Sequence, residues 1–166
     1  MVTILTKQEK KIWQILQTVA DPEIPVLSVL DLGIIRDIKI SGAPPLGDTH
    51  IEIIITPTYT GCPAMDMIAM NIRLALLENG YNKIKITSVR APAWTTDWMS
   101  EEGKQKLKKY GIAAPNKNFE IAIDGIECPQ CNSTNTKLIS EFGSTACKAL
   151  YRCQNCKEPF DYFKCH

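Results

Sequence analysis

The chain concentrates its chemistry in sulfur. Cys128 and Cys131 form one CxxC pair, Cys153 and Cys156 form a second, and 21 residues separate the two. Two such turns each present a pair of thiolates to one ion, which is what tetrahedral coordination by four cysteines needs. The spacing predicts a zinc ribbon over residues 127–166. Its zinc is structural, because four thiolates leave no open position for a reaction. The alternative is four metal-free thiols. A segment of about 40 residues buries too little surface to fold without a staple, so the metal is the stronger reading.

Cys62 is not part of that set. It sits in TPTYTGCPAMDM, residues 56–67, where an isoleucine-rich run gives way to a helical pattern. A thiol in the first turn of a helix meets unpaired N–H groups and partial positive charge, which favour the thiolate and lower its pKa. Gly61 allows close approach or a left-handed backbone, and Pro63 suits the first helical position. Thr58, Tyr59 and Thr60 add hydroxyls that can reach an anion. Two readings stand for Cys62: a reactive or metal-binding thiol, or a small buried hydrophobe. The only histidines are His50 and His166, both remote in sequence, so a Cys-His hydrolase lacks its base. Asp21, Glu23 and Asp31 in DPEIPVLSVLDLG either face Cys62 or cap turns.

The remaining sulfurs are less determined. Cys147 is either a packing residue or part of a second metal or redox site. Cys165 and His166 form a terminal pair that reads as a frayed end or as tail ligands. Met65, Met67 and Met70 suit a core or a partner surface better than a metal. The tryptophans of AWTTDW are either core anchors or a docking patch.

The elements that must position these groups follow from periodicity. Thr6–Val19 reads as a helix: Thr6 and Glu9 have capping-box spacing, and Ile12, Ile15, Leu16 and Val19 share a face. Asp21-Pro22 stops it. Residues 34–40 and 50–56 read as strands of an antiparallel hairpin around SGAPPLGD. Pro63–Asn79 reads as a helix with Gly80 at its C-terminal end. Residues 84–89 form a third strand, so the strand–helix–strand unit predicts a parallel, right-handed crossover. Residues 100–110 form a Lys-rich helix closed by Gly111. Residues 112–126 read as a linker with a short extended piece, and the composition changes at Glu127. Two strand-like pieces, 137–142 and 148–152, lie between the CxxC pairs. The expected class is α+β. A small two-layer α/β domain of order α-β-β-α-β-α occupies residues 1–111, and a four-cysteine zinc ribbon follows at 127–166.

The bulk numbers narrow the function classes. With 166 residues, 45% of them hydrophobic, the chain can pack a domain and a small module. A net charge of +1 gives no global drive onto nucleic acid or anionic membrane. No apolar run approaches the ~20 residues of a membrane span, and the start lacks a signal-peptide core. Together these predict a cytoplasmic protein in which seven cysteines serve as ligands or reactive thiols, not disulfides.

Beyond these patterns, DPEIPVLSVLDLGIIRDI, TPTYTGCPAMDMI and APAWTTDWMSEEGKQKLKKYGI resemble the metal-sulfur cluster assembly domain family. The cysteine-rich tail looks like that of the phenylacetate-degradation protein D family. The resemblance implies a small α/β fold associated with iron-sulfur protein maturation. It places the family's reactive cysteine at Cys62, with Thr56, Thr58 and Gly61 matching, and its DPE motif at Asp21, Pro22 and Glu23. It further implies an accessory of phenylacetyl-CoA epoxidase, a multicomponent di-iron monooxygenase with an iron-sulfur reductase.

On that basis the leading expectation is a maturation factor. Cys62, with Thr58, Thr60, Gly61, Asp21 and Glu23 around it, would hold iron or an iron-sulfur cluster transiently. The client is then the oxygenase or the reductase component. One cysteine cannot fill a cluster that takes four, so the missing ligands come from a homodimer partner, a small thiol or the client. A structural or regulatory subunit of the epoxidase is the rival. A nucleic-acid-binding ribbon would use Lys104, Lys106, Lys108 and Lys109, but no basic stripe with stacking aromatics accompanies them. An independent enzyme is least supported, since no nucleotide loop or open metal motif is present.

Overall fold

The computed structural model describes residues 6–42, 49–115 and 125–164. The chain divides into two compact units, residues 1–94 and 95–166. No described helix is long and apolar enough to cross a membrane.

In the first unit, α1 (Lys7–Gln17) opens with the expected capping box. The Glu9 N–H donates to Thr6 Oγ1 at 3.2 Å and the Thr6 N–H donates to Glu9 Oε2 at 2.6 Å, so two otherwise orphaned donors are satisfied. Ile12, Ile15 and Leu16 carry its buried face. The strands β1 (Ile35–Ser41) and β2 (His50–Ile55) pair antiparallel, with Ile38 opposite Ile53 and Ile40 opposite Ile51. The helix α2 (Ala64–Glu78) makes the crossover to β3 (Lys83–Ser88), which lies parallel to β2. The strand order is β1-β2-β3.

Alternation sets the faces. Ile51, Ile53 and Ile55 are buried, while Glu52 lies on the opposite face, paired with Lys85 at 2.9 Å. On α2 the buried residues are Ala64, Ile68, Ile72 and Leu76, a four-residue spacing that keeps one stripe against the core. Fully burying one such Ile or Leu stabilises by about 1.5–3 kcal/mol. Gly80, with φ +87, turns the chain out of α2 at a backbone angle that L side chains rarely adopt. Trp94 is a core anchor: it is buried and its indole N–H donates to the Leu32 carbonyl at 2.8 Å.

In the second unit, Ser100 caps α3 (Glu101–Tyr110) by accepting from the Gly103 N–H, and Gly111 closes it at φ +89. Two strands lie outside the expected pair. The sheet runs β4-β7-β6-β5, with β4 Ile112–Ala113, β5 Thr136–Ser140, β6 Lys148–Cys153 and β7 Pro159–Phe163. β4 joins β7 in parallel; the other pairs are antiparallel. A two-residue strand has no period to detect, and β7 opens on a proline, which reads as a breaker until its place in a sheet is known. Within PFDYF the alternation is nevertheless present: Phe160 and Tyr162 are buried and both pack on Tyr151. Thus α3 and β4 group with the ribbon, N-terminal to the composition change at Glu127. Residues 43–48 of the SGAPPLGD turn, most of the linker, Cys165 and His166 lie outside the described residues.

Candidate functional site

Each CxxC pair of the ribbon is held in a tight turn. Asn132 and Lys157, each directly after the second cysteine of its pair, have φ of 60 and 68. The Asn132 N–H returns to the Cys128 carbonyl at 2.9 Å, and the Cys153 N–H donates to the Glu158 carbonyl at 3.0 Å. These turns bring the sulfurs of Cys128, Cys131, Cys153 and Cys156 within 4.8 Å of one another. The Cys128–Cys156 separation is 3.7 Å and the Cys131–Cys153 separation is 3.5 Å. A tetrahedron with metal–sulfur arms of about 2.3 Å has edges near ~3.8 Å, so the four donors fit one thiophilic ion.

The protonation of the cluster points the same way. Burial is the largest influence on Cys153 and opposes its ionisation, but the N–H groups of Cys156 and Asn155 and the thiols of Cys131 and Cys156 together outweigh it and bring that thiol down to about 6. Cys156 is pushed up to about 12: the Glu158 N–H lowers it, but burial and the sulfurs of Cys153, Cys131 and Cys128 prevail. Four adjacent thiolates repel one another, and a bound cation removes that conflict. Cys128 and Cys153 are fully buried beside Ile126, Phe160 and Tyr162, so the site forms part of the ribbon core.

Cys62 has different surroundings. The chain leaves β2 at Ile55, passes the half-buried Thr58 and Tyr59 and the exposed Thr60, and turns at Gly61 with φ +85. Cys62 is half-buried, and α2 begins two residues later with Pro63 as its N-cap. The thiol therefore lies just outside the helix, not in its first turn. Its pKa runs against expectation: it is raised. Burial is the largest cause, and the charges of Glu23 and then Asp21 add to it. The Ala64 N–H and the Tyr59 hydroxyl hydrogen-bond the sulfur and lower the pKa, but they are outweighed. Helix-start electrostatics do act on Cys62; one donated N–H does not overcome desolvation plus two carboxylates.

Of the acidic residues, Asp21 combines both roles, turn capping and proximity to the thiol, while Glu23 acts on the thiol and Asp31 caps a turn. The Asp21 carboxylate is buried and accepts the N–H groups of Glu23 and Ile24 at 2.8 and 2.7 Å, building the turn. It is also close enough to Cys62 to raise its pKa. Asp31 accepts from the Ser28 N–H and hydroxyl, both at 2.9 Å, and serves the loop. Thr56 is 1% exposed, and its hydroxyl has no hydrogen-bond partner among the described residues. His50 begins β2, at the opposite end of that strand from Cys62. Cys147 is buried with the Thr145 hydroxyl 3.0 Å from its sulfur, outside the four-sulfur cluster.

Comparison with known proteins assigns the two parts separately. Residues 9–87 match the family described as "Iron-sulfur cluster assembly protein", and residues 114–164 match the "PaaD zinc beta ribbon domain". Over 99% of its length the chain is 46% identical to an Escherichia coli (strain K12) protein, provisionally named as the D component of 1,2-phenylacetyl-CoA epoxidase, and covers 98% of it. It is 36% identical, over 60% of its own length and 90% of the other's, to the "Fe-S protein maturation auxiliary factor" of Porphyromonas gingivalis (strain ATCC BAA-308 / W83). The crystal structure of a domain of unknown function, DUF59, from Bacillus anthracis superposes with a TM-score of 0.52 at 29% identity. That match covers 60% of this chain and 90% of the domain.

Proposed function

Because the chain belongs to the family of phenylacetyl-CoA epoxidase D-component proteins, an iron-sulfur cluster assembly domain followed by a zinc ribbon, we propose that it is an accessory protein of phenylacetate catabolism that matures the iron-sulfur or di-iron centre of the epoxidase. The observation that carries this reading is Cys62 itself: a half-buried thiol at the start of α2 with the charges of Glu23 and Asp21 acting on it.

The same two carboxylates that keep the thiol protonated attract a cation. At rest Cys62 is a neutral thiol, which protects it from oxidation. Iron displaces the proton, and the Ala64 N–H, the Tyr59 hydroxyl and the two carboxylates then stabilise the metal thiolate. Binding is therefore coupled to proton release, and retention strengthens as pH rises toward the raised thiol pKa. A single protein thiolate holds the cargo weakly, as transfer to a client requires. Zinc in the ribbon, bound by Cys128, Cys131, Cys153 and Cys156, is the structural staple of a module suited to docking the oxygenase or reductase component.

The test is anaerobic purification with metal and acid-labile sulfide analysis of wild type, Cys62→Ser and Cys128→Ser, alongside client activation by the first two. Iron and activation lost with Cys62→Ser, and zinc lost only with Cys128→Ser, are the expected results. Full client activation by Cys62→Ser overturns the proposal. The name of the Escherichia coli relative, which makes it a part of the epoxidase, favours one rival: a permanent structural or regulatory subunit. That rival requires stoichiometric co-purification with the active oxygenase, which a transient maturation factor does not show.

A further inference from the structure

The face of α2 turned away from the core carries Met67, Met70, Leu74 and Leu77, which are 53%, 53%, 48% and 40% exposed. Their spacing is three, four, three, the a/d repeat of a helix that packs lengthwise on another helix. The buried stripe of the same helix, Ala64, Ile68, Ile72 and Leu76, already faces the core. The outer seam is thus a second apolar face, not the edge of the first.

We infer that this seam pairs with the same seam of a second copy, the two α2 helices running parallel so that both Cys62 residues lie at one end. The inference rests on the maturation reading, since one thiol per chain leaves a cluster short of ligands. Three features support this occupant. Self-pairing in parallel stacks Met67, Met70, Leu74 and Leu77 each on its own equivalent, with no polar residue in the seam. Of the exposed flanking residues, Arg73 of one copy then lies opposite Glu78 of the other, five positions on, where parallel helices place complementary charges. Arg73 spends one guanidinium N–H on the Ile84 carbonyl at 3.1 Å and keeps others for this pair.

Area decides how permanent the pairing is. Four half-exposed side chains offer roughly 400 Å² per copy. Two copies then bury about 800 Å², under the ~1,200 Å² of a standard stable interface. Parallel pairing also brings Asp21 and Glu23 of both copies toward one end, and their repulsion weakens the metal-free dimer. An iron ion between the two Cys62 sulfurs reverses that repulsion and adds two bonds across the axis. The dimer is accordingly cation-dependent and transient. An antiparallel pair would leave the thiols about 20 Å apart, the length of α2, with no shared ion.

Sedimentation of the full zinc-loaded chain under anaerobic conditions, with and without one Fe²⁺ per two chains, tests this. Fe²⁺ is expected to lower the dimerisation midpoint at least tenfold. Leu74→Arg and Met70→Glu, both surface changes, should stay monomeric at unchanged zinc content. A thiol cross-linker of ~8 Å, the spacing of packed helices, should join Cys62 to Cys62 in the wild-type dimer and in neither variant. A chain that stays monomeric with Fe²⁺, a dimer unmoved by both variants, or a dimer whose Cys62 residues do not cross-link overturns the inference. Monomeric Leu74→Arg with full client activation also overturns it, and leaves the maturation reading intact. Full activation by Cys62→Ser sinks that reading instead, while the two seam variants are still judged by sedimentation.

Discussion

Cys153 in the ribbon and Cys62 before α2 both sit at turns where backbone N–H groups reach the sulfur, yet their pKa values move in opposite directions. Burial opposes ionisation at both. Cys153 has two N–H groups and neighbouring thiols to set against it. Cys62 has one N–H and one hydroxyl, and it has Glu23 and Asp21 against it. The comparison shows that the start of a helix does not by itself activate a thiol. The balance of donors against nearby carboxylates decides, and here it separates a closed four-sulfur cluster from a lone thiol held protonated beside two carboxylates.

The largest effect that sharpens this contrast is Cys128→Ser. Zinc-finger peptides draw about 10–16 kcal/mol from their metal, so losing one ligand should melt β5, β6 and β7. NMR amide dispersion over residues 125–164 should collapse, while that of residues 6–94 persists. Within the first unit, Ile72→Ala should cost about 2–5 kcal/mol by urea denaturation, because Ile72 is fully buried in the α2 core stripe. Equal zinc in that variant would show that the ribbon site does not draw on the first core.

Cys62→Ser should leave stability within about 0.5 kcal/mol, because a half-buried thiol becomes a hydroxyl of similar size; iron retention should nevertheless vanish. A large fall in melting temperature would make Cys62 a packing residue and erase the contrast. The smallest effect is expected from Glu23→Gln. Removing a charge that raises the Cys62 pKa should shift the pH profile of Cys62 alkylation, followed by peptide mass spectrometry, to lower pH, and iron retention should weaken. An unmoved profile would remove Glu23 from the causes and leave burial and Asp21 to raise the pKa.

Much of this was legible in the chain. Thr6 and Glu9 announce the capping box, alternating isoleucines announce the hairpin, and the spacing of Cys128, Cys131, Cys153 and Cys156 announces the metal site. These are local patterns, and the physics that acts on them is local too. Strands β4 and β7 were not legible, because a two-residue strand has no period and Pro159 argues against a strand until it is seen to be the first residue of one. The Met67–Leu77 stripe was visible only as methionines in a helix. Its exposure depends on which face of α2 the sheet covers.

The sequence by itself determined the order α-β-β-α-β-α and the four cysteines that cluster in the ribbon, but not the division of the chain, since the second compact unit begins at residue 95, ahead of the composition change at Glu127. Tertiary structure alone decided the state of Cys62. The loop carrying Asp21 and Glu23 is some forty residues away in sequence, and only folding sets its carboxylates against the sulfur. Charge interactions depend on distance in space, which spacing along the chain does not reveal.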